Sequence, residues 1–259
     1  MAASPQINIV AEPVFRLGQL SINNSMLLGL IGTIAVLSLL FYTRHRIQHG
    51  RRTLLAMAVL WLFEWLLDTA EEVLGSRRAA RQAAPLAITM FFLVMINNWL
   101  GILPIVGPLT WHGLPLLRGL SADLNFTFAL ALISFLAAQL WAIRQRGFFG
   151  NLRRYLANPL TKPLEAYQGL LEVIAEFART TALSLRLFGN VFGGEVLLMV
   201  ITFLTRWAVP VTLPLFMFLE LFVGAVQAYI FFMLTITFIS LGSRDSQARQ
   251  PVAAALPAN

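Results

Sequence analysis

Long apolar runs separated by short arginine-rich segments dominate this chain. Residues 24–43 (NSMLLGLIGTIAVLSLLFYT) are apolar or small almost throughout, and about 20 such residues suffice to cross a hydrocarbon core of ~30 Å. Runs at 85–105 and 123–143 have the same character and predict two further crossings. Residues 164–204 contain no proline. As one helix they would run about 60 Å, about twice the bilayer core, so the helix must tilt, bend or follow the interface. Pro210 and Pro214 mark the turn into a second overlong run, 207–241. Two long, tilted helices paired as a hairpin follow from these lengths.

One stretch breaks the pattern. Between 52 and 82, Glu64, Asp68, Glu71 and Glu72 recur at helical steps, with Arg77, Arg78 and Arg81 behind them and Leu, Met and Trp on the other face. This predicts an interfacial amphipathic helix rather than a crossing; an ion path along the acidic row is the alternative. The expected fold is therefore an all-α polytopic membrane protein, a single membrane domain over 1–259 with about five membrane-crossing helices plus one interfacial helix. Residues 1–22 read as a short tail, 106–121 as a loop rich in Gly and Pro, and 242–259 as a polar, loosely ordered cytoplasmic tail.

Composition supports the pattern. The chain is 58% hydrophobic and 12% charged, with a mean hydropathy of +0.74, where soluble domains carry about 25% charged residues. The net charge of +7 is no nucleic-acid signature, because the arginines sit in short loops. Arg44, Arg46, Arg51 and Arg52, then Arg77, Arg78 and Arg81, then Arg144, Arg146, Arg153 and Arg154 all fall on one side of the expected topology. Such loops face the cytoplasm, which puts the N-terminus outside and the C-terminus inside. With no cysteine and only His45, His49 and His112, no metal site is expected, and no cofactor. No Walker or dinucleotide-binding glycine pattern occurs, so neither nucleotide nor nucleic acid is an expected ligand. Residues 1–20, with Glu12 and Pro13, do not look like a cleaved signal.

A few polar groups stand inside the apolar runs. Arg186 sits in mid-segment with no acidic residue within eight positions on either side, and a charge at membrane depth costs about 2.5–3.5 kcal/mol on insertion scales. Glu172, Arg179, Arg186 and Gly193 are spaced by seven and share one stripe. Asn190 lies one turn beyond Arg186, whereas Glu195 points about 180° away and lies about 13 Å further along the axis. Arg186 and Glu195 thus cannot pair on one straight helix. Gly189, Gly193 and Gly194 allow a neighbouring backbone to approach. On the final helix Glu220 and Gln227 share a face with Gly224 between them. Opposite Glu195, they would form a polar chain in which two carboxylates share or relay a proton. Asp123 is a plausible helix N-cap. Asn97 and Asn98 line a polar cavity or bond to neighbouring helices; the sequence favours neither.

Four blocks carry a family resemblance: Ser184–Asn190 (SLRLFGN) followed by Gly193-Gly194-Glu195, Glu220–Thr235 (ELFVGAVQAYIFFMLT), Asn97–Pro104 (NNWLGILP) and Ser121–Asn125 (SADLN). The four blocks occur along the chain in the family's order, and over roughly 85–241 the chain resembles subunit a of the F-type ATP synthase. The resemblance implies a proton-channel stator with no catalytic or nucleotide site of its own, which gives two offset half-channels to a rotating c-subunit ring and couples proton flow to ATP synthesis. It further implies a b-subunit peripheral stalk as partner and residence in the lipid bilayer of a bacterial inner membrane. By resemblance, Arg186 faces the c-ring carboxylate and separates the half-channels. Asp123, Asn125, Asn190, Glu195, Glu220 and Gln227 border the outer one, and Glu172 the cytoplasmic one. Glu220 departs from the pattern, since many bacterial relatives carry histidine there, and its acid–base tuning must differ. A sodium-coupled version of the subunit is the nearest alternative. A secondary transporter predicts inverted repeats and interrupted helices, neither of which is seen, and a scaffold would bury charge without purpose.

Overall fold

The computed structural model describes residues 13–17, 20–50, 53–103, 106, 109–111, 114–148, 150, 163–205 and 207–248. Several sequence markers lie outside them: the first 12 residues, Arg51, Arg52, Pro104, Gly107, Pro108, His112, Gly113, Arg153, Arg154, Pro159 and residues 249–259.

Among the described residues there are six long helices: α1 (Asn24–Gln48), α2 (Leu54–Leu74), α3 (Arg77–Gly101), α4 (Leu124–Arg146), α5 (Pro163–Thr205) and α6 (Val209–Ala248). Five of them, all but α2, are long and apolar enough to cross a membrane. α5 and α6 run 43 and 40 residues, turn tightly at Trp207 and Ala208, and pack against each other. Thr205 and Thr212 hydroxyls meet across that turn at 3.1 Å.

The boundaries differ from the sequence reading in four places. The expected interfacial helix over 52–82 is two pieces. Gly75 adopts a left-handed φ of 69°, its N–H bonds the Glu71 carbonyl, and Arg77 opens α3. A left-handed residue ends a helix, and glycine reaches that conformation without a Cβ penalty. Arg77 then folds back to Asp68 at 2.7 Å and Glu71 at 2.6 Å, so the acidic row neutralises the first residue of α3. Pro85, taken as the start of the next crossing, lies inside α3. At the other end, helix continues to Ala248, into the expected loose tail.

The fourth difference is outside the helices. The chain ahead of α1 holds an antiparallel hairpin, β1 (Pro13–Leu17) with β2 (Leu20–Asn23). The loop over 106–121 holds a second, β3 (Thr110–Trp111) with β4 (Leu114–Pro115). It is followed by a 3₁₀ turn, Leu120–Ala122, whose residues are all buried.

α3 is the interior wall, in contact with α1, α2 and α6. Ala80, Ala83, Ala84 and Ala87 on it are all buried, small residues that let helices approach closely where lipid offers no hydrophobic drive for association. Phe92, Phe231, Phe232, Ile88, Leu187 and Ile236 fill the space between α3, α5 and α6. Asn97 packs against Gly32 of α1, where any Cβ would overlap its side chain. Ser134 and Thr235 hydroxyls, both buried, join α4 to α6 at 2.8 Å, and Thr127 meets Ser184 at 3.1 Å between α4 and α5.

Candidate functional site

The long hairpin brings the polar residues of α5 and α6 together. Gly194 has no side chain, and Glu220 of α6 fills the space a Cβ would take. That close approach sets the Glu220 carboxyl beside Glu195, the next residue of α5. One turn towards the N-terminus of α5, the Asn190 amide donates to Gln227 Oε1 at 2.7 Å. Gly224, between Glu220 and Gln227, receives Asn98 of α3, whose Cβ would lie 3.3 Å from a Cβ at that position. Trp99 donates its indole N–H to the Leu221 carbonyl at 3.1 Å, which fixes α3 against this segment of α6. Glu195, Glu220, Asn98, Gln227 and Asn190 therefore make one polar seam between α3, α5 and α6. Glu220 Oε2, Gln227 Nε2 and both amide atoms of Asn98 are buried without a hydrogen-bond partner within the described protein. Buried polar groups ordinarily find partners, and ordered water is the usual one in a roomy polar site.

A residue outside the sequence-derived set completes the seam. Arg118, from the segment after β4, places Nε 3.6 Å from Glu195 Oε2, with its side chain only 11% exposed. Its guanidinium carbon lies 5.9 Å from the centre of the Phe192 ring. The backbone N–H of Gly119 bonds the same Glu195 carboxylate. This segment is held firmly: Leu116 N–H bonds the Leu109 carbonyl at 2.8 Å, Asn24 donates to the Pro115 carbonyl at 3.2 Å, and Leu120 packs on Gly29. The sequence signal for Arg118 was its being the one arginine of a loop otherwise short of charge.

Arg186 stands apart from this seam. It is exposed on α5, and among the described residues it makes no ion pair. Its surroundings on the same helix are bare and small or apolar: Ala182, Gly189 and Gly193 are exposed, as are Leu185 at 52% and Leu197 at 43%. A guanidinium cannot be discharged in a protein, so Arg186 keeps its charge on this face.

Two further groups stand elsewhere. Asp123 caps α4 by accepting the Asn125 N–H at 2.9 Å and also accepts the Ser25 hydroxyl at 2.8 Å. Ser25 and Asp123 are buried while the Asn125 side chain is exposed, so this pair ties α1 to α4 and is joined to the seam only through the 3₁₀ turn. Near the opposite end of α5, Gln139 of α4 donates to Glu176 at 2.8 Å. Gln139, Glu176, Arg179 and Thr180 line a cleft together with Phe135 and Ala138. Glu172, one turn away, is half-buried; Glu176 and Gln139 carry the cleft's polar lining.

The ATP synthase A chain family model matches residues 26–240. The chain belongs to that family. ATP synthase subunit a of Mycobacterium ulcerans is 33% identical over 216 residues, 81% of this chain and 82% of the relative. That of Acidothermus cellulolyticus is 28% identical over 249 residues, 91% and 87% of the two chains. That of Aliivibrio salmonicida is 33% identical over 190 residues, 70% and 69%. Family membership and the five apolar helices make this a multi-pass membrane protein, and the seam, the bare Arg186 face and the Glu176 cleft are the features this member presents.

Proposed function

We propose that this chain is the proton-conducting stator subunit of an F-type ATP synthase, without a catalytic site of its own. The observation that carries the reading is the separation of Arg186 from the polar seam. The arginine stands uncompensated on the bare face of α5, while carboxylates and amides gather between α3, α5 and α6. A c-subunit ring running against that face would supply the missing carboxylate. Charge attraction to Arg186 favours the ionised form of that carboxylate and so releases its proton. The permanent charge also interrupts any direct proton wire across the membrane.

In this mechanism a proton enters from outside among Asn190, Glu195, Glu220 and Gln227, with Asp123 and Asn125 at the rim. It passes to a ring carboxyl, which is then neutral and able to face lipid. After rotation the proton leaves on the cytoplasmic side, near Glu172 and the Glu176–Gln139 cleft. Two carboxyls side by side in a low-dielectric site do not both stay ionised, so the pair is suited to holding and relaying a proton. The arginine-rich loops favour an N-terminus outside and a C-terminus in the cytoplasm, which suits a bacterial inner membrane. A b-subunit peripheral stalk would hold the chain against rotation. Each charge moved down the potential yields about 2.3 kcal/mol per 100 mV, so a leak past Arg186 would waste the drive.

The experiment is Arg186→Ala in the assembled complex in inverted membrane vesicles, in sodium-free buffer. ATP-driven acidification should disappear and passive proton leak should rise. Coupled pumping at the normal rate would overturn the assignment, and pumping that requires added sodium would replace the proton with that ion.

A further inference from the structure

The resting arrangement of the two seam carboxyls is asymmetric. Glu195 has a guanidinium at 3.6 Å and a backbone N–H from Gly119, whereas Glu220 has a buried oxygen with no hydrogen-bond partner among the described residues and has Glu195 as a charged neighbour. The cation comes from neither long helix. It comes from the segment after β4, which is pinned to α1 through Asn24 and Leu120 and to Glu195 itself through Gly119. A Cβ at Gly119 would stand 2.8 Å from Glu195 Oε1, so the backbone is seated directly on the carboxylate. The Phe192 ring flanks the guanidinium on the same helix. Few arginines in an outer loop are this enclosed, and burying one charge pays only when geometry and hydrogen bonding compensate the lost hydration.

Resting on the reading of this seam as the outer half-channel, we propose that Arg118 is its positioning residue: with Gly119 it clamps Glu195 against Glu220 and balances one of the two charges, so that the pair holds a single exchangeable proton. Without the guanidinium, Glu195 would lose its anchor and face Glu220 uncompensated. The proton's route through the two carboxyls would then depend on side chains free to swing apart. The charge matters more than the fork of the arginine, since the ion pair is made through Nε at 3.6 Å.

The test is ATP-driven proton pumping by vesicles carrying the complete complex, with assembly verified for each variant. Arg118→Gln should slow pumping by about tenfold or more, as misplacing a reacting group does. Arg118→Lys, which keeps the charge, should remain within about threefold of the parent, lysine serving as a point charge. Because Arg118 acts through Glu195, the double change Arg118→Gln with Glu195→Gln should pump no worse than Glu195→Gln alone. Pumping by Arg118→Gln at the parent rate overturns the proposal. So does equal impairment of the lysine and glutamine variants, or a double variant clearly worse than Glu195→Gln. If Arg118→Gln alone fails to assemble, restored assembly on adding Glu195→Gln supports the clamp, and failure to restore it counts against it. Arg186→Ala in the same vesicles separates the two readings. If it abolishes pumping while Arg118→Gln does not, only the clamp falls; if it too pumps normally, the half-channel reading falls.

Discussion

α3 and α5 are both strongly apolar, yet they are used in opposite ways. In the most apolar stretch of α3, 56% of residues are buried inside the molecule; in that of α5, 6% are, although α5 is the more hydrophobic of the two. Hydropathy therefore does not say which helix is the interior one. In lipid there is little hydrophobic gain from joining two apolar helices, and packing is decided by small residues and polar locks. α3 has both: the buried alanines from Ala80 to Ala87 and the asparagine and tryptophan contacts at its far end. α5 makes polar locks at Ser184 and Asn190, and leaves Leu197 and Leu204, on the face of Arg186, and the neighbouring Leu185 uncovered. A face of that kind suits lipid or another subunit, and the charge of Arg186 argues for the subunit.

The contrast can be attacked through stability in detergent. The strongest blow should come from Gly32→Leu, which drives a side chain into Asn97 on the α1–α3 contact. Overpacking of this sort costs about 1–3 kcal/mol, and the thermal midpoint of the purified chain should fall by several degrees. A smaller effect, about 1 kcal/mol, is expected from Ser134→Ala with Thr235→Ala, which removes the hydroxyl contact between α4 and α6 and leaves no group unpaired across it. The weakest effect should follow Leu197→Ala or Leu204→Ala on the open face, within about 0.5 kcal/mol of the parent as for surface sites generally. Those two changes should instead reduce co-purification with the rest of the membrane sector. Equal destabilisation by the first and last of these substitutions would erase the distinction between a packed helix and an offered one.

What could be read from the sequence followed from quantities the chain cannot conceal. Run length gave the crossings, and the absence of proline between Leu164 and Leu204 gave one long helix. Helical angles put Arg186 and Glu195 on opposite sides of it. The break at Gly75 was harder, because charged residues lie on both sides of it and polarity does not change there. The second hairpin was invisible for a related reason: two residues per strand are too few for alternation to show. Arg118 was missed because its partner is remote in sequence and a loop arginine looks solvated until the loop's burial is known. Glu176 was not singled out from the sequence; its bond with Gln139, on another helix, marks it in the structure. The two asparagines, left open in sequence, divide in the structure: Asn97 bonds the Leu93 carbonyl and packs on Gly32, while Asn98 joins the seam.

The uncovered Arg186 also bears on how such a protein comes into being. A newly inserted copy waiting alone in the bilayer would hold a permanent cation against acyl chains. At about 2.5–3.5 kcal/mol, that penalty is a large share of the roughly 5–15 kcal/mol by which native proteins are stable. On the proposed reading, the side chain that serves the assembled complex thus marks an orphan copy as incomplete. Production of this chain in excess of its complement should yield short-lived protein, its turnover set by the wait for the acidic neighbour that relieves the charge.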